Sequence, residues 1–142
     1  MSPEVTDCLN RARSHLEKAR NFLNILHYSD EAARAAYLAG FNAAQALVFT
    51  RRGRIAKTHR GLRSTFAELV TDQPGLDPSF TRFLAEAYRS KENVDYGGGD
   101  GAPVTEAEAQ QMIETAARLI DAIAKILEIG RASCRERVCE LV

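Results

Sequence analysis

Apolar residues recur every three or four positions through most of the chain, and this is the period of an amphipathic helix. A first helix is predicted to begin with Ser2 as N-cap and Pro3 as its first residue, and to end before a turn at residues 27–29. A second helix, capped by Asp30, is expected to run to about Arg52. The first helix carries its apolar residues on one stripe: Val5, Cys8, Leu9, Ala12, Leu16, Ala19, Phe22, Leu23 and Leu26.

Three further helices follow the same period. A shorter third helix fits residues 60–71, and a fourth begins after Asp77 and Pro78 and runs to about Tyr96. Residues 105–108 (TEAE) form a capping box, which is typical of a helix start and predicts the fifth helix. No strand pattern or internal repeat is present. The prediction is an all-α fold, an up-and-down four-helix bundle with one additional short helix.

The helical pattern ends near residue 127, and residues 128–138 (EIGRASCRERV) are similar to an in-frame translation of a short-read sequencing adapter. We therefore expect one helical domain over residues 1–127 and a non-native tail over residues 128–142. Two of the three cysteines fall in that tail, so only Cys8 remains, which predicts neither a disulfide framework nor a zinc site. Because the sequence shows neither a signal peptide nor a long apolar run, we expect a cytoplasmic protein without a membrane segment.

Positive charge is concentrated in residues 51–63 (RRGRIAKTHRGLR), which hold six basic side chains, one histidine and no acid. Residues 1–128 contain 16 basic and 17 acidic residues, so 10 basic and 17 acidic residues remain outside this segment. Such a block is typical of either a solvated loop or a site for an anion, above all phosphate. Lys57, Thr58 and Arg60, with the first amides of the third helix, are the candidate phosphate-binding residues. No aromatic residue lies within the segment for stacking on bases.

A polar ridge is predicted on the fourth helix. At 100° per residue, Arg89, Asn93 and Tyr96 fall opposite the apolar face of that helix. The ridge is either a solvated surface, or a self-association surface or phosphate-binding groove. An RNA-binding or RNA-cleaving site would require this ridge and the basic segment to share one cleft.

Three segments together resemble prokaryotic HEPN domains: residues 36–46 (AYLAGFNAAQA), residues 57–61 (KTHRG) and residues 89–97 (RSKENVDYG). The resemblance spans about residues 5–127 and implies a helical bundle that often forms a homodimer. Many such domains are metal-independent ribonucleases, commonly toxins of toxin–antitoxin or defence systems that are paired with a nucleotidyltransferase antitoxin. The resemblance thus implies RNA or a nucleotide and a nucleotidyltransferase as partners, and we expect no cofactor and no metal.

The ribonuclease signature of these domains is an arginine, four to six further residues and then a histidine, and this sequence departs from it. The corresponding positions after Arg89 hold Val94, Asp95 and Tyr96. Metal-free RNA cleavage needs groups that accept and donate protons near neutral pH, as histidine does and arginine cannot. The candidate catalytic residues are therefore Arg89, Asp95 and Tyr96, with His59 as the histidine in a basic setting.

The expected function is that of an RNA- or nucleotide-interacting module, and the missing histidine leaves ribonuclease activity open. The alternative is a non-catalytic module that docks on a nucleotidyltransferase partner. A third possibility is a dimeric scaffold whose basic segment is solvated surface.

Overall fold

The computed structural model describes the backbone of residues 1–96 and 103–140, and the side chains of residues 1–96 and 103–128. The described residues form helices and connections without any strand, so the predicted all-α fold is confirmed. The central helix is the alanine-rich second one, which packs against each of the other four. The helices are α1 (Pro3–Asn24), α2 (Ser29–Arg52), α3 (His59–Thr71), α4 (Ser79–Tyr96) and α5 (Glu106–Glu140).

The start of α1 agrees with the N-cap predicted from the sequence, whereas the start of α2 does not. The Ser2 hydroxyl accepts a hydrogen bond from the Val5 amide at 3.3 Å, so the predicted N-cap of α1 is confirmed. The prediction that Asp30 caps α2 was wrong. Asp30 lies in the first turn, and its Oδ1 instead accepts a hydrogen bond from the Val104 amide at 2.9 Å. A carboxylate in the first turn still suits the helix dipole, and here it also holds the chain that leads into α5.

Small residues on α2 let neighbouring helices approach closely, as the spacing of Ala36, Gly40 and Ala44 predicts. A Cβ atom on Gly40 would lie 2.8 Å from Phe83 Cε1 and 3.3 Å from Leu84 Cδ2. A larger residue at this position would therefore require the Phe83 ring on α4 to shift. The glycine thus sets the distance between the two helices that flank the candidate site.

Two helix ends differ from the predictions. Because α1 ends at Asn24, Leu26 leaves the apolar stripe and is 48% exposed. The backbone of α5 continues to Glu140, so the expectation that the helix ends near residue 127 was wrong. Extending an existing helix needs no new nucleation, and the alanine, arginine and glutamate residues of this segment have good helix propensity. The boundary between domain and tail stays a prediction.

Three smaller expectations concern single segments. Cys8, the cysteine outside the predicted tail, is buried in the core as expected. The glycine-rich sequence of residues 97–103 predicts a flexible loop, and these residues lie almost wholly outside the described part of the chain. Within the parts of the chain that the structure describes, no helix has the length and apolar character needed to cross a membrane.

Candidate functional site

The basic segment forms the end of α2, the connection of residues 53–58 and the start of α3. Gly53 ends α2 in the left-handed region at φ 75°, a conformation that glycine adopts readily. Thr58 is the N-cap of α3, and its hydroxyl accepts a hydrogen bond from the Gly61 amide at 2.9 Å. The Thr58 hydroxyl, predicted to bind phosphate, is therefore engaged in capping. Gly53 and Thr58 therefore fix the backbone at the two ends of the connection between α2 and α3.

A single buried side chain fastens the middle of this connection to α2. Gln45, which is 4% exposed, donates from Nε2 to the Ala56 carbonyl at 3.0 Å. Its Oε1 accepts a hydrogen bond from the Ala56 amide at 3.1 Å. Both backbone polar groups of Ala56 are thus satisfied by one amide side chain. The basic residues on either side project from a backbone that is held in place.

Two of the basic side chains are engaged within the protein. Arg51 Nη2 donates a hydrogen bond to Gln73 Oε1 at 2.7 Å, and Arg52 Nη2 lies 3.2 Å from Glu68 Oε2. Exposed contacts of this kind contribute modestly to stability. These two arginines connect the end of α2 to α3 and to the turn that follows it.

Three other basic side chains have no such partner. Arg54, Lys57 and Arg60 are exposed, and none of them forms an ion pair or side-chain hydrogen bond with the described residues. Arg54 and Lys57, together with Arg52, line a recess with a volume of about 380 Å³. No acidic residue lines the recess, and of its three cations only Arg52 is paired with an acid in the described structure, which suits the recess to an anion.

His59, the first residue of α3, is held by side chains from two other helices, α2 and α4. Its Nδ1 lies 2.7 Å from the Tyr37 hydroxyl on α2. The ring centroids of Phe41 and Tyr88 lie 4.6 Å and 5.3 Å from that of the imidazole. Tyr37 is fully buried, and this burial raises its pKa to about 12. The imidazole is therefore half-buried in a defined orientation against a neutral phenol.

Charged groups of α3 and α4 surround this imidazole. The Arg63 guanidinium lies 4.1 Å from the centroid of the Tyr88 ring, a cation–π arrangement. Burial first, and then the positive charges of Lys91 and Arg63, lower the pKa of His59, whereas Glu92 acts in the opposite direction. Because the pKa lies below its ordinary value of about 6.5, the imidazole is neutral at pH 7.

The remaining predicted catalytic residues are distributed over two sides of α4. Asp95 accepts hydrogen bonds from Arg34 Nε and from Lys91 Nζ, both at 2.6 Å, and these bonds lower its pKa. Arg89 and Tyr96 are exposed and have no ion-pair or side-chain hydrogen-bond partner in the described chain. At 100° per residue they lie about a quarter turn or more from the side that carries Lys91 and Asp95. Asp95 therefore lies apart from the ridge of Arg89, Asn93 and Tyr96. The recess at the basic segment is lined by residues between Val48 and Thr65, and no residue of α4 lines it.

The model of the HEPN domain family matches residues 5–127, which is most of the chain. The chain belongs to the HEPN domain family. The resemblance inferred from the sequence over about the same residues is thereby confirmed. HEPN domains are helical modules related to nucleotides and RNA. A search of curated proteins finds no match.

Three residues of the site in this HEPN domain, Phe41, Arg63 and Tyr88, could not be assigned to it from the sequence. The basic segment itself has no aromatic residue, but α2 and α4 bring Phe41 and Tyr88 against its histidine. Arg63 was counted only as part of the charge, although its guanidinium packs on Tyr88. The spacing of Tyr37 and Phe41, one turn apart on α2, was the available signal.

Within the described residues no group of three His, Cys, Asp or Glu side chains could hold a metal ion.

Proposed function

We propose that this HEPN domain binds the phosphate groups of RNA at the connection between α2 and α3. The observation that carries the proposal is the group formed by Arg54, Lys57 and Arg60, three exposed cations without an acidic partner among the described residues. Arg54 and Lys57 line the recess of about 380 Å³, so a phosphate group can approach both from one side.

The start of α3 supports the same site. The first amides of a helix have no partner within it, and the dipole places partial positive charge there. The first turn of α3 contains no acidic residue that would neutralise this charge. Phosphate commonly binds at such helix N-termini, where charged side chains add to the attraction. The exposed cations and the helix start therefore favour the same class of ligand.

Anisotropy of a fluorescein-labelled oligouridylate tests the proposal. The variant Arg54→Ala/Lys57→Ala removes two cations at the recess, and we expect its affinity at low salt to fall on the order of tenfold or more. The slope of log affinity against log salt should decrease by about 1.4, since each contact to a single strand contributes about 0.7.

A matched control is available on α1, where Arg13 and Arg20 are also exposed and have no ion pair in the described residues. Arg13→Ala/Arg20→Ala produces the same change of net charge, and we expect almost the wild-type affinity. Equal losses in the two double variants would show that only overall charge matters, and would overturn the site. The same samples, incubated with RNA in EDTA and run on a gel, measure cleavage. Cleavage that Arg89→Ala abolishes would establish a ribonuclease, and intact RNA would support a binding module.

A further inference from the structure

We infer that His59 is held as the neutral tautomer with its proton on Nε2, and that it offers this N–H to a bound phosphate as a fixed hydrogen-bond donor. The donor role rests on the phosphate site proposed above, whereas the tautomer does not. Tyr37 is then a positioning residue, because it acts on the ligand only through the imidazole.

The tautomer follows from the hydrogen bond between Tyr37 and His59. Tyr37 is fully buried, and a buried hydroxyl proton without an acceptor is unfavourable by about 1–3 kcal/mol. The Tyr37 hydroxyl lies 2.7 Å from His59 Nδ1, and the Arg63 guanidinium, which also approaches this hydroxyl, can only donate. Tyr37 therefore donates and Nδ1 accepts. A neutral imidazole that accepts at Nδ1 carries its proton on Nε2.

The opposite arrangement is disfavoured by the groups around the ring. If Nδ1 carried a proton, it would donate to the Tyr37 oxygen and leave the phenol proton without an acceptor. A doubly protonated imidazolium would meet the same conflict, beside the positive charges of Arg63 on α3 and Lys91 on α4. Glu92 on α4 favours the charged form but does not outweigh burial and the two cations. The neutral form with a proton on Nε2 is the one that satisfies the buried phenol.

The Nε2 edge is the part of the ring that remains open. Phe41, Tyr88 and Tyr37 pack around the imidazole, with ring centroids 4.6–5.7 Å from it. Nε2 has no protein partner among the described side chains. Among the described side chains, Arg63 Nη1 is the one buried polar atom without a hydrogen-bond partner. Because His59 Nε2 also has no partner but is not buried in this sense, it is accessible to solvent. His59 lies between Lys57 and Arg60 in the sequence, so its Nε2–H belongs to the same basic segment as the cations of the proposed site.

This tautomer determines what His59 can do. A general base needs a free lone pair on the nitrogen that faces the substrate, and here that nitrogen carries a proton. A neutral N–H can still donate to a phosphate oxygen, and bonds to a charged acceptor are the stronger ones. His59 thus contributes to binding without changing its charge, and it does not remove a 2′-OH proton.

Long-range ¹H–¹⁵N correlation spectra of the full chain test the tautomer directly. The signals of His59 are identified by their loss in His59→Gln, which separates them from His15 and His27. We expect Nδ1 at the shift of an unprotonated nitrogen and Nε2 at that of a protonated one. In Tyr37→Phe the preference should relax to a mixture. Tyr88→Phe is the matched control, since the Tyr88 hydroxyl lies near Glu92 rather than His59 and its loss should leave the tautomer unchanged. A protonated Nδ1 of His59 in the wild-type protein would overturn the inference.

Binding of the labelled oligouridylate tests the donor role. His59→Ala should weaken binding about tenfold, as expected for one lost hydrogen bond to a charged group. His59→Gln keeps a side-chain N–H and should recover most of the affinity. The wild-type affinity should show no step between pH 7 and pH 8.5, because a neutral donor does not titrate there. A His59→Ala variant with wild-type affinity, while Arg54→Ala/Lys57→Ala binds weakly, would overturn the donor role alone. If the recess variant and its α1 control bind equally well, the phosphate site fails and the donor role fails with it, while the spectra still decide the tautomer.

Discussion

The α2–α3 connection and the C-terminal half of α4 contain similar charged residues, but the protein uses them differently. On α4, Asp95 is bonded to both Lys91 and Arg34, so a negative charge neutralises cations of two helices. At the connection, Arg54 and Lys57 have no acidic partner in the described structure. Charges that are satisfied internally stabilise the bundle, whereas charges left exposed together repel one another and suit an external anion.

The difference also lies in what fixes the two backbones. α4 is a regular helix, and its Lys91–Asp95 pair is an ordinary contact between residues one turn apart. The connection has no such repeat and depends on the two hydrogen bonds between Gln45 and Ala56. The proposed RNA-binding connection therefore depends on the buried side-chain amide of Gln45. A substitution of Gln45 that changes no charge should have the largest effect on this connection.

The largest effect is expected for Gln45→Leu, which keeps a similar volume but leaves the Ala56 amide and carbonyl without partners. We expect a loss of about 2 kcal/mol in the free energy of unfolding, measured with urea, because two partly buried polar groups lose their partners. RNA affinity should fall as well, although no charge changes. Gln111→Leu on the exposed side of α5 is the control and should affect neither quantity. Unchanged affinity in folded Gln45→Leu would show that the shape of the connection is unimportant for binding.

A smaller effect is expected on the α4 side. Asp95→Asn removes the charge that Lys91 and Arg34 share, and the free energy of unfolding should fall by about 1 kcal/mol or less at pH 7. Affinity for the oligouridylate should stay the same or rise slightly, since a negative charge is removed. Asp7→Asn, an exposed change on α1, serves as the control. Weaker RNA binding by Asp95→Asn would return Asp95 to the functional site and contradict the contrast between the two regions.

The dependence of stability on pH should report the buried imidazole. The pKa of His59 is lowered in the folded state, so the unfolded chain binds the proton more tightly. Stability should therefore be full above the ordinary pKa of about 6.5, and should decrease as pH falls below it, by at most about 1.4 kcal/mol per pH unit for one proton. His15, whose pKa is also lowered, acts in the same direction. Urea titrations from pH 7 to pH 5 should give a smaller slope for His59→Gln, and the smallest for His15→Gln/His59→Gln. An identical slope in all three proteins would mean that His59 is not shifted.

The smallest effect is expected for Arg89→Ala on the predicted polar ridge. Arg89 is exposed and unpaired in the described chain, so the free energy of unfolding should change by less than about 0.5 kcal/mol. Size-exclusion chromatography with light scattering tests whether the ridge is a self-association surface. A change in oligomeric state in Arg89→Ala/Tyr96→Ala would identify such a surface, and an unchanged state would exclude it.

Features that depend on local sequence could be predicted, and features that join distant segments could not. The helices, the Ser2 cap and the close approach at Gly40 follow from periodicity, turn residues and side-chain size. The bond between Asp95 and Arg34 joins residues 61 positions apart, and that between Tyr37 and His59 joins residues 22 apart. The local sequence around these residues does not indicate their partners, because the partners depend on how α2 packs against α3 and α4.

The candidate site also combines features that the local sequence predicts with features that depend on contacts between distant segments. The concentration of charge in residues 51–63 predicted where an anion could bind, but not which of the cations would be engaged within the protein. Arg51 and Arg52 are bonded to Gln73 and Glu68, and only the three-dimensional arrangement reveals this. Asp30 was predicted as a helix cap from its position, although it accepts a bond from Val104. Short polar side chains suit several local roles, and tertiary contacts decide among them.

Asp30 and Arg34 lie one turn apart on α2, and each holds a different end of the passage from α4 to α5. Arg34 binds Asp95 on one side, and Asp30 binds the Val104 amide on the other. Asp95 and Val104 are therefore both bonded to side chains on the same stretch of α2. Lengthening a loop between anchored ends changes its closure entropy only slowly. A peptide epitope or a small reporter domain inserted after residue 98 should thus leave the helices in place, which makes this passage a practical position for labelling the protein.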